Sequence, residues 1–590
     1  MKSHMQLSGP SDDSSGLFRN LSIQPKQQAK KGGRRATTFV FVMAAVETLS
    51  FASNAVSLFS YFHGYMNFSL TKSATALTNY MGTAFLLSLF GGFISDTYLS
   101  RFKTCVVFGG LQVMGYALLA VQAHLKQLRP FPCKDAAPSK MNQCQSATSS
   151  QEAMLFMSLY LVALGSGGAK AALPALGADQ FDERDPEEAA SLSSYFNWYM
   201  FFVNIGAILG VTFIVWINTT QGWDWAFGMC SIAIAIALLF LSMGHSVYRN
   251  NAPTGSPVTR ILQVLVAAIR NRNVPLPDKA EEYKINLQPK FKARENLCRF
   301  LDHAAITRRS EDTTSSTSCG SWKMCTVTQV EETKIIIRML PIILSTVFMN
   351  TCMAQLQTFS IQQSTTTNRK IGNFEMPASS IPVIPMLFMF ILIPMYDQIF
   401  VPLARKFTRI PTGITQLQRI GVGLVLSAIS MAVSGIIEKH RKNVAIKHDM
   451  VDSPGPLPIS VFWIGIQYAI FGVADIFTLV GLLDFFYSES SSGMKSLCIS
   501  ICWCSLAFGY YTSTVAVNVV NKVSGGWLAS NNLNRDKLEY FYWLLASLSM
   551  VNFGFYLLCA SWFKYKKIQV KQVVQVDSGC TDYVEERIVK

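Results

Sequence analysis

Charge is what this chain has least of. Of 590 residues, 15% are Asp, Glu, Lys or Arg and 50% are hydrophobic, whereas a soluble chain carries about 25% charged residues. An ordinary water-soluble globule is thereby excluded. No Gly-x-x-x-x-Gly-Lys-Ser/Thr run is present to cradle a nucleotide phosphate, so ATP-driven chemistry is not expected. The seven histidines are scattered without metal-ligand spacing. No metal, no other cofactor and no enzyme activity are expected. Residues 1–36 are polar and contain QQAKKGGRR, so they lack the apolar core of a signal peptide. Most of the 13 cysteines fall in apolar stretches and read as packing residues. Cys133 and Cys144 differ, because they share the loop 125–152, and a disulfide there is left open.

What the chain does have is apolar length. Stretches of about 20 residues, each enough to cross about 30 Å of hydrocarbon, fall at 37–61, 76–95, 104–124, 154–175, 194–216, 225–246, 334–355, 379–402, 416–437, 459–483, 495–520 and 539–562. The stretches 76–95 and 495–520 are the most polar, with Gly, Ser and Thr of the kind tolerated where helices pack together. The reading is an all-α membrane protein with twelve transmembrane helices in two six-helix bundles, 37–247 and 334–562. A cytosolic tail at 1–36, a linker at 248–333 and a second tail at 563–590 complete it. The formal net charge of +15 does not indicate nucleic-acid binding, because the basic residues flank the apolar stretches. Their concentration before the first span, in the linker and in KYKKIQVKQ places both termini and the linker in the cytosol. Within the linker, ILQVLVAAIRN reads as an amphipathic surface helix and EDTTSSTSCGS as unstructured.

Two stretches carry chemistry. In LGSGGAKAALPALGADQFDE, Lys170 sits deep in the fourth span, where a charge costs about 3 kcal/mol and demands a partner. GGFISDTYLSRFKT, between spans two and three, resembles the major facilitator signature for that turn; Asp96 and Arg101, with Lys103, are placed to pair and cap helix ends. Six spans, a linker and six more spans is likewise the facilitator arrangement, in which substrate binds between the halves and the halves rock around it.

The motifs GADQFDERDPEE, SYFNWYMFFVNIG, YRNNAPTGSPVTRILQV, FLDHAAI, MAQLQTFSIQQ and YFYWLLASLSMVNF resemble the proton-coupled oligopeptide transporter family, specifically its plant nitrate/peptide branch, over nearly the whole chain. The resemblance implies alternating access, proton-driven uptake, and a substrate among nitrate, peptides, glucosinolates and plant hormones. It also implies a gate in which Lys170 pairs with an acid in span ten. Asp475 stands at that position, one methylene shorter than the family's usual Glu. The family's span-one motif Glu-x-x-Glu-Arg/Lys, linked to proton coupling, is reduced here to Ala44, Glu47 and Thr48. Glu47 alone remains for protons, and Thr48 faces the substrate. A weakened motif of this kind is similar to the subgroup with abscisic acid and gibberellin carriers. In span seven, Met353 and Gln357 stand where nitrate-transporting relatives can have His and Thr. Phe508 and Tyr511 of span eleven are the expected aromatic substrate contacts; Tyr195, Trp198 and Trp503 are the other aromatics considered. Ser491 replaces a family Pro after span ten and loosens that turn.

The expected function is a multi-pass secondary transporter for a small anion, nitrate or a hormone acid. The alternatives are a sensor on the same fold and a peptide carrier. Expected partners are the solute, protons and the bilayer, with no nucleic acid. A regulatory kinase would act on 313–318, Thr75 or Thr78. The plasma membrane is the expected location and the vacuolar membrane the rival.

Overall fold

The computed structural model describes residues 32–68, 70–130, 147–182, 185–249, 255–273, 299–305, 322, 325–371, 374–375, 382–408, 413–452, 455–491, 493–528, 533–563, 565, 569–572 and 585–588. Helices begin where the sequence supplies caps. Thr326 accepts from the Gln329 amide while the Gln329 side chain returns to Thr326, and Thr415 with Gln418 repeats the device. Pro186 and Pro257 occupy first helical turns, where their missing N–H costs nothing. Gly525, left-handed at φ 69°, ends a helix as only glycine does without strain.

The spans run as follows. Span one is Arg34–Ser60, prolonged by a wide turn at Tyr61–Tyr65; spans two, three and four are Leu70–Thr97, Arg101–His124 and Ser149–Ala178. Span five is Pro186–Leu209, continuing through Gly210–Ile214 to Val215–Thr220, and span six is Trp223–Met243. A linker helix, Pro257–Arg270, precedes span seven, Val327–Thr365. Span eight runs Val383–Met395, Tyr396–Phe400 and Val401–Thr408; spans nine to twelve are Gln416–Lys447, Phe462–Glu489, Lys495–Ser524 and Leu538–Trp562. Each of the twelve expected stretches is thus a helix, usually longer than its apolar segment because capped, polar turns extend it. Eleven are long and apolar enough to cross a membrane. Span eleven falls short in mean hydropathy because it carries serines among its polar residues; Ser496, Ser500, Ser505 and Ser513 are buried. Short two-stranded pairs, such as Thr367–Asn368 beside Leu457–Ser460, occupy connections.

The packing has an internal repeat. Contacts of spans 1·5, 2·4, 3·4, 3·6, 1·6 and 1·4 recur six spans later as 7·11, 8·10, 9·10, 9·12, 7·12 and 7·10. Each half therefore builds the same bundle. The halves meet along spans 2·11 and 5·8, with 4·11 and 5·10 beside them, and the same six-span shift exchanges these two seams. Span four reaches the centre because it is thin. A Cβ on Gly168 would collide with the Phe108 ring, and one on Gly167 would meet the backbone of Leu87 and Ser88 at 2.8 and 2.9 Å. From Gly165 to Ala178 every residue of this helix is buried.

The end of the bundle that carries the linker is held by a charged clasp. Arg249 donates to both carboxylate oxygens of Glu188 at 2.6 and 2.9 Å, joining the ends of spans five and six. Both residues lie outside the apolar windows Ser194–Thr220 and Trp223–Ser246. The hydrogen bonds from Arg249 hold Glu188 below its ordinary carboxylate value. A depressed folded value means the contribution is complete above the ordinary carboxylate range and is lost as pH falls through the depressed one. Glu188→Gln is expected to lower the melting temperature at neutral pH by a few degrees, and the gap from the parent should close in acid. A gap independent of pH would show that the clasp does not act through its charge.

Candidate functional site

Lys170 lies in the buried half of span four, and its amine is fully engaged. Nζ donates to Glu47 Oε1 of span one at 2.6 Å and to Ser166 Oγ at 2.6 Å; Ser166 Oγ in turn donates to the same Glu47 oxygen at 2.5 Å. The three groups close a ring. Ser166 and Lys170 are four residues apart on one helix, which sets them on one face. The amine also sits 3.7 Å from the centre of the Phe51 ring, a cation–π contact that replaces part of the lost hydration. Lys170 and Glu47 keep only 8% and 5% side-chain exposure, so the pair is held out of water and neither charge can be removed alone without stranding the other.

An aromatic wall surrounds the pair. Phe51 meets Phe85 edge-on at 5.5 Å, and Phe85 lies parallel to Trp503 at 6.0 Å and to Tyr510 at 6.3 Å. Tyr80 completes the wall beside Phe51 at 6.5 Å. Span one, span two and span eleven thus contribute rings from both halves. The Tyr510 hydroxyl donates to Gln357 Oε1 of span seven at 2.8 Å. Asp475 is half-buried on span ten, within electrostatic reach of Tyr510. Among the described residues it has no hydrogen-bond or ion-pair partner. No cluster of His, Cys, Asp or Glu suited to a metal occurs among the described residues.

At the linker end, Asp96 accepts from the Leu497 amide at 2.8 Å and so caps span eleven from across the seam. Arg101 Nε donates to Ser496 Oγ at 3.0 Å, approaches Asp96 at 3.7 Å and pairs with Asp179 at the end of span four. Tyr487 of span ten donates to Asp179 at 2.8 Å. The seam between spans five and eight carries the counterpart. Asp397 accepts from Ser194, Asn197 and Trp198 at 2.5, 2.7 and 3.0 Å, while Arg419 of span nine donates to Asn197 at 2.8 Å. An arginine stands at the start of spans three and nine alike, while the acids differ in depth: Asp96 lies on the last turn of span two and Asp397 midway along span eight. These bonds run from the linker end to mid-depth, and with them the halves are closed at that end.

A profile of the POT family, PTR2, matches residues 102–533, more than half of the chain. This chain belongs to the POT family. The Arabidopsis thaliana proteins NRT1/PTR FAMILY 4.5 and NRT1/PTR FAMILY 4.6 are 43% and 41% identical to it, each over 91% of this chain and 94% and 95% of their own lengths. The crystal structure of the POT family transporter PepTSo matches with a TM-score of 0.59 at 17% identity, covering 90% of this chain and 98% of that one. That of a POT family transporter in complex with 5-aminolevulinic acid matches with a TM-score of 0.56. The chain is a multi-pass membrane transporter with the major facilitator fold.

Against that family background, several expected site residues stand elsewhere. The Lys170–Asp475 bond is not formed in this conformation; Lys170 pairs within its own half, with Glu47. Asp475 carries the shorter side chain, and Glu47 reaches the amine first. Glu47 therefore has a basic partner although Thr48 replaced the family's base; that partner comes from span four. Ala44 is buried packing and Thr48 is half-buried. Phe508 is 51% exposed and shares an outer stripe with Thr512, Val515 and Val519, two helical steps away from Tyr510. Tyr510, not Phe508, faces the interior. Tyr511 packs onto Gly82 of span two, and Met353 packs half-buried against the core. Tyr195 stacks on Phe41 inside the first half. The Ser491 carbonyl accepts from the Met494 amide at 3.0 Å, and Ser490 before it has φ −72°, ψ 156°, a conformation that a following proline accepts. Cys133, Cys144 and residues 313–318 lie outside the described residues.

Sequence patterns omitted Ser166, Tyr510, Asp397 and Arg419. Asp397, a lone charge inside the apolar stretch 379–402, was the available signal for the last two. For the buried pair, Lys170→Met and Glu47→Leu are each expected to cost about 3 kcal/mol of stability by stranding the partner's charge, whereas the double variant should recover most of it. All three should fail to transport. Thermal unfolding in detergent checks the stability and flux checks the function; additive losses would mean that the two side chains are not coupled.

Proposed function

We propose that this POT family member carries a small organic acid with an apolar body, in the class of abscisic acid or gibberellin, together with protons. The observation that carries this reading is one buried cation, Lys170, set in a wall of Phe51, Tyr80, Phe85, Trp503 and Tyr510. The amine suits a carboxylate and the rings suit its hydrocarbon body. The charge count supports coupling. Two acids, Glu47 and Asp475, share one lysine. A substrate carboxylate that takes Lys170 displaces Glu47, which must then accept a proton rather than stay charged in a water-poor site. Asp475 receives Lys170 in the other conformation, so the amine passes between halves as the transporter rocks. Glu47 is the proton-coupling residue, Gln357 and Tyr510 orient the substrate, and Asp96 with Arg101 closes the cytosolic end.

Nitrate is the rival substrate. Lys170 and Gln357 are able to bind it, but the aromatic wall gives it nothing to pack on. The bundles divide at the linker; both termini and the linker lie in the cytosol, and the protein works in the plasma membrane, with a cytosolic kinase as regulator.

Uptake in oocytes at external pH of about 5.5 and about 7.5, offering labelled abscisic acid, gibberellin, nitrate and a dipeptide, tests the assignment. Accumulation of a hormone acid is expected, greater at the lower pH and lost in Lys170→Ala at equal surface expression. Accumulation of nitrate alone would contradict the substrate class. Saturable binding without accumulation would identify a sensor, and transport gained by Ser491→Pro would then locate the block in the turn after span ten.

A further inference from the structure

Span four has a proline inside its helix, Pro174. Proline has no N–H, so the carbonyl four residues earlier loses its regular donor. That carbonyl is the one on Lys170. Trp503 supplies the missing hydrogen bond: its indole Nε1 donates to Lys170 O at 3.1 Å. Trp503 belongs to span eleven, in the opposite half, and is 7% exposed. Its ring lies parallel to Phe85 of span two, with 8° between the planes, so the indole is aimed by packing. A side chain of one half therefore plugs a gap in the backbone of the other, at the residue whose amine holds the central ion pair.

We propose that Pro174 and Trp503 form a latch that favours the conformation closed at the linker end. Lys170 lies eight residues from the end of its helix, about 12 Å along it, at the inner limit of the closed seam. When the halves part there, Trp503 leaves with span eleven and the Lys170 carbonyl must find water instead. The same separation frees span four at its proline, the point where a helix bends most readily. Both are positioning residues: Trp503 acts through the Lys170 backbone, and Pro174 creates the need for it. The inference rests on the transporter fold and not on any substrate.

The test measures conformation, without substrate. Fluorophores are attached through noncanonical amino acids at Tyr98 and Phe407, both exposed near the linker end, in the full chain reconstituted in nanodiscs. Single-molecule energy transfer gives the ratio of open to closed. Trp503→Phe keeps a ring on Phe85 and removes the donor; it should raise the ratio roughly five-fold, the equivalent of about 1 kcal/mol for one hydrogen bond. In the Pro174→Ala background residue 174 donates to Lys170 itself, and Trp503→Phe should then change the ratio by less than about two-fold. An equal shift in both backgrounds, or none in the parent, would overturn the latch. Should Trp503→Phe not fold, Pro174→Ala alone decides: an increased ratio supports the latch and an unchanged one contradicts it.

Discussion

A single positive charge inside the bilayer constrains everything near it. Lys170 has lost its water, and an isolated ammonium in such a place costs more than most helices can absorb. The chain compensates with Glu47, Ser166 and the face of Phe51. To bring these within reach, span four is stripped to glycine and alanine where spans two and three cross it. The charge thus fixes the identity of small residues that never touch it. A second acid, Asp475, lies in the other half with no hydrogen-bond or ion-pair partner among the described residues.

Closure at the linker end follows from the internal repeat. One seam uses Asp96, Arg101 and the start of span eleven; the other uses Asp397, Arg419 and span five. In each, an acid accepts from a span in the other half: Asp96, on the last turn of span two, from the first turn of span eleven, and Asp397, midway along span eight, from Ser194, Asn197 and Trp198. Trp503 extends this closure inward as far as Lys170, so the central site and the seam are mechanically continuous.

Much of the fold was legible in the sequence because bilayer thickness imposes it. Twelve apolar stretches became twelve helices, and even the most polar, 495–520, did so by burying its serines. The facilitator turn around Asp96 was legible as a pattern. Rotation of the spans was not. The resemblance puts span eleven on the cavity but does not say which of its faces turns inward, so Phe508 read as an interior ring although the interior ring is Tyr510. The partner of Lys170 was also beyond sequence reading. Glu47 and Asp475 both satisfy the charge rule, and only the longer reach of Glu and the packing of span one against span four decide between them in this conformation. The Asp397–Arg419 seam stayed hidden because its residues are scattered over three spans rather than gathered in a motif.

The most direct measurement is a structure of the same full-length chain held open at the linker end, for example by cryo-electron microscopy with a binder selected against that face. Exchange of the lysine predicts Lys170 Nζ within ion-pair distance of Asp475, detached from Glu47. A structure in which the linker end is open and Lys170 still rests on Glu47 and Ser166, with Asp475 apart, would show a static pair that packs span one on span four and takes no part in the transport cycle.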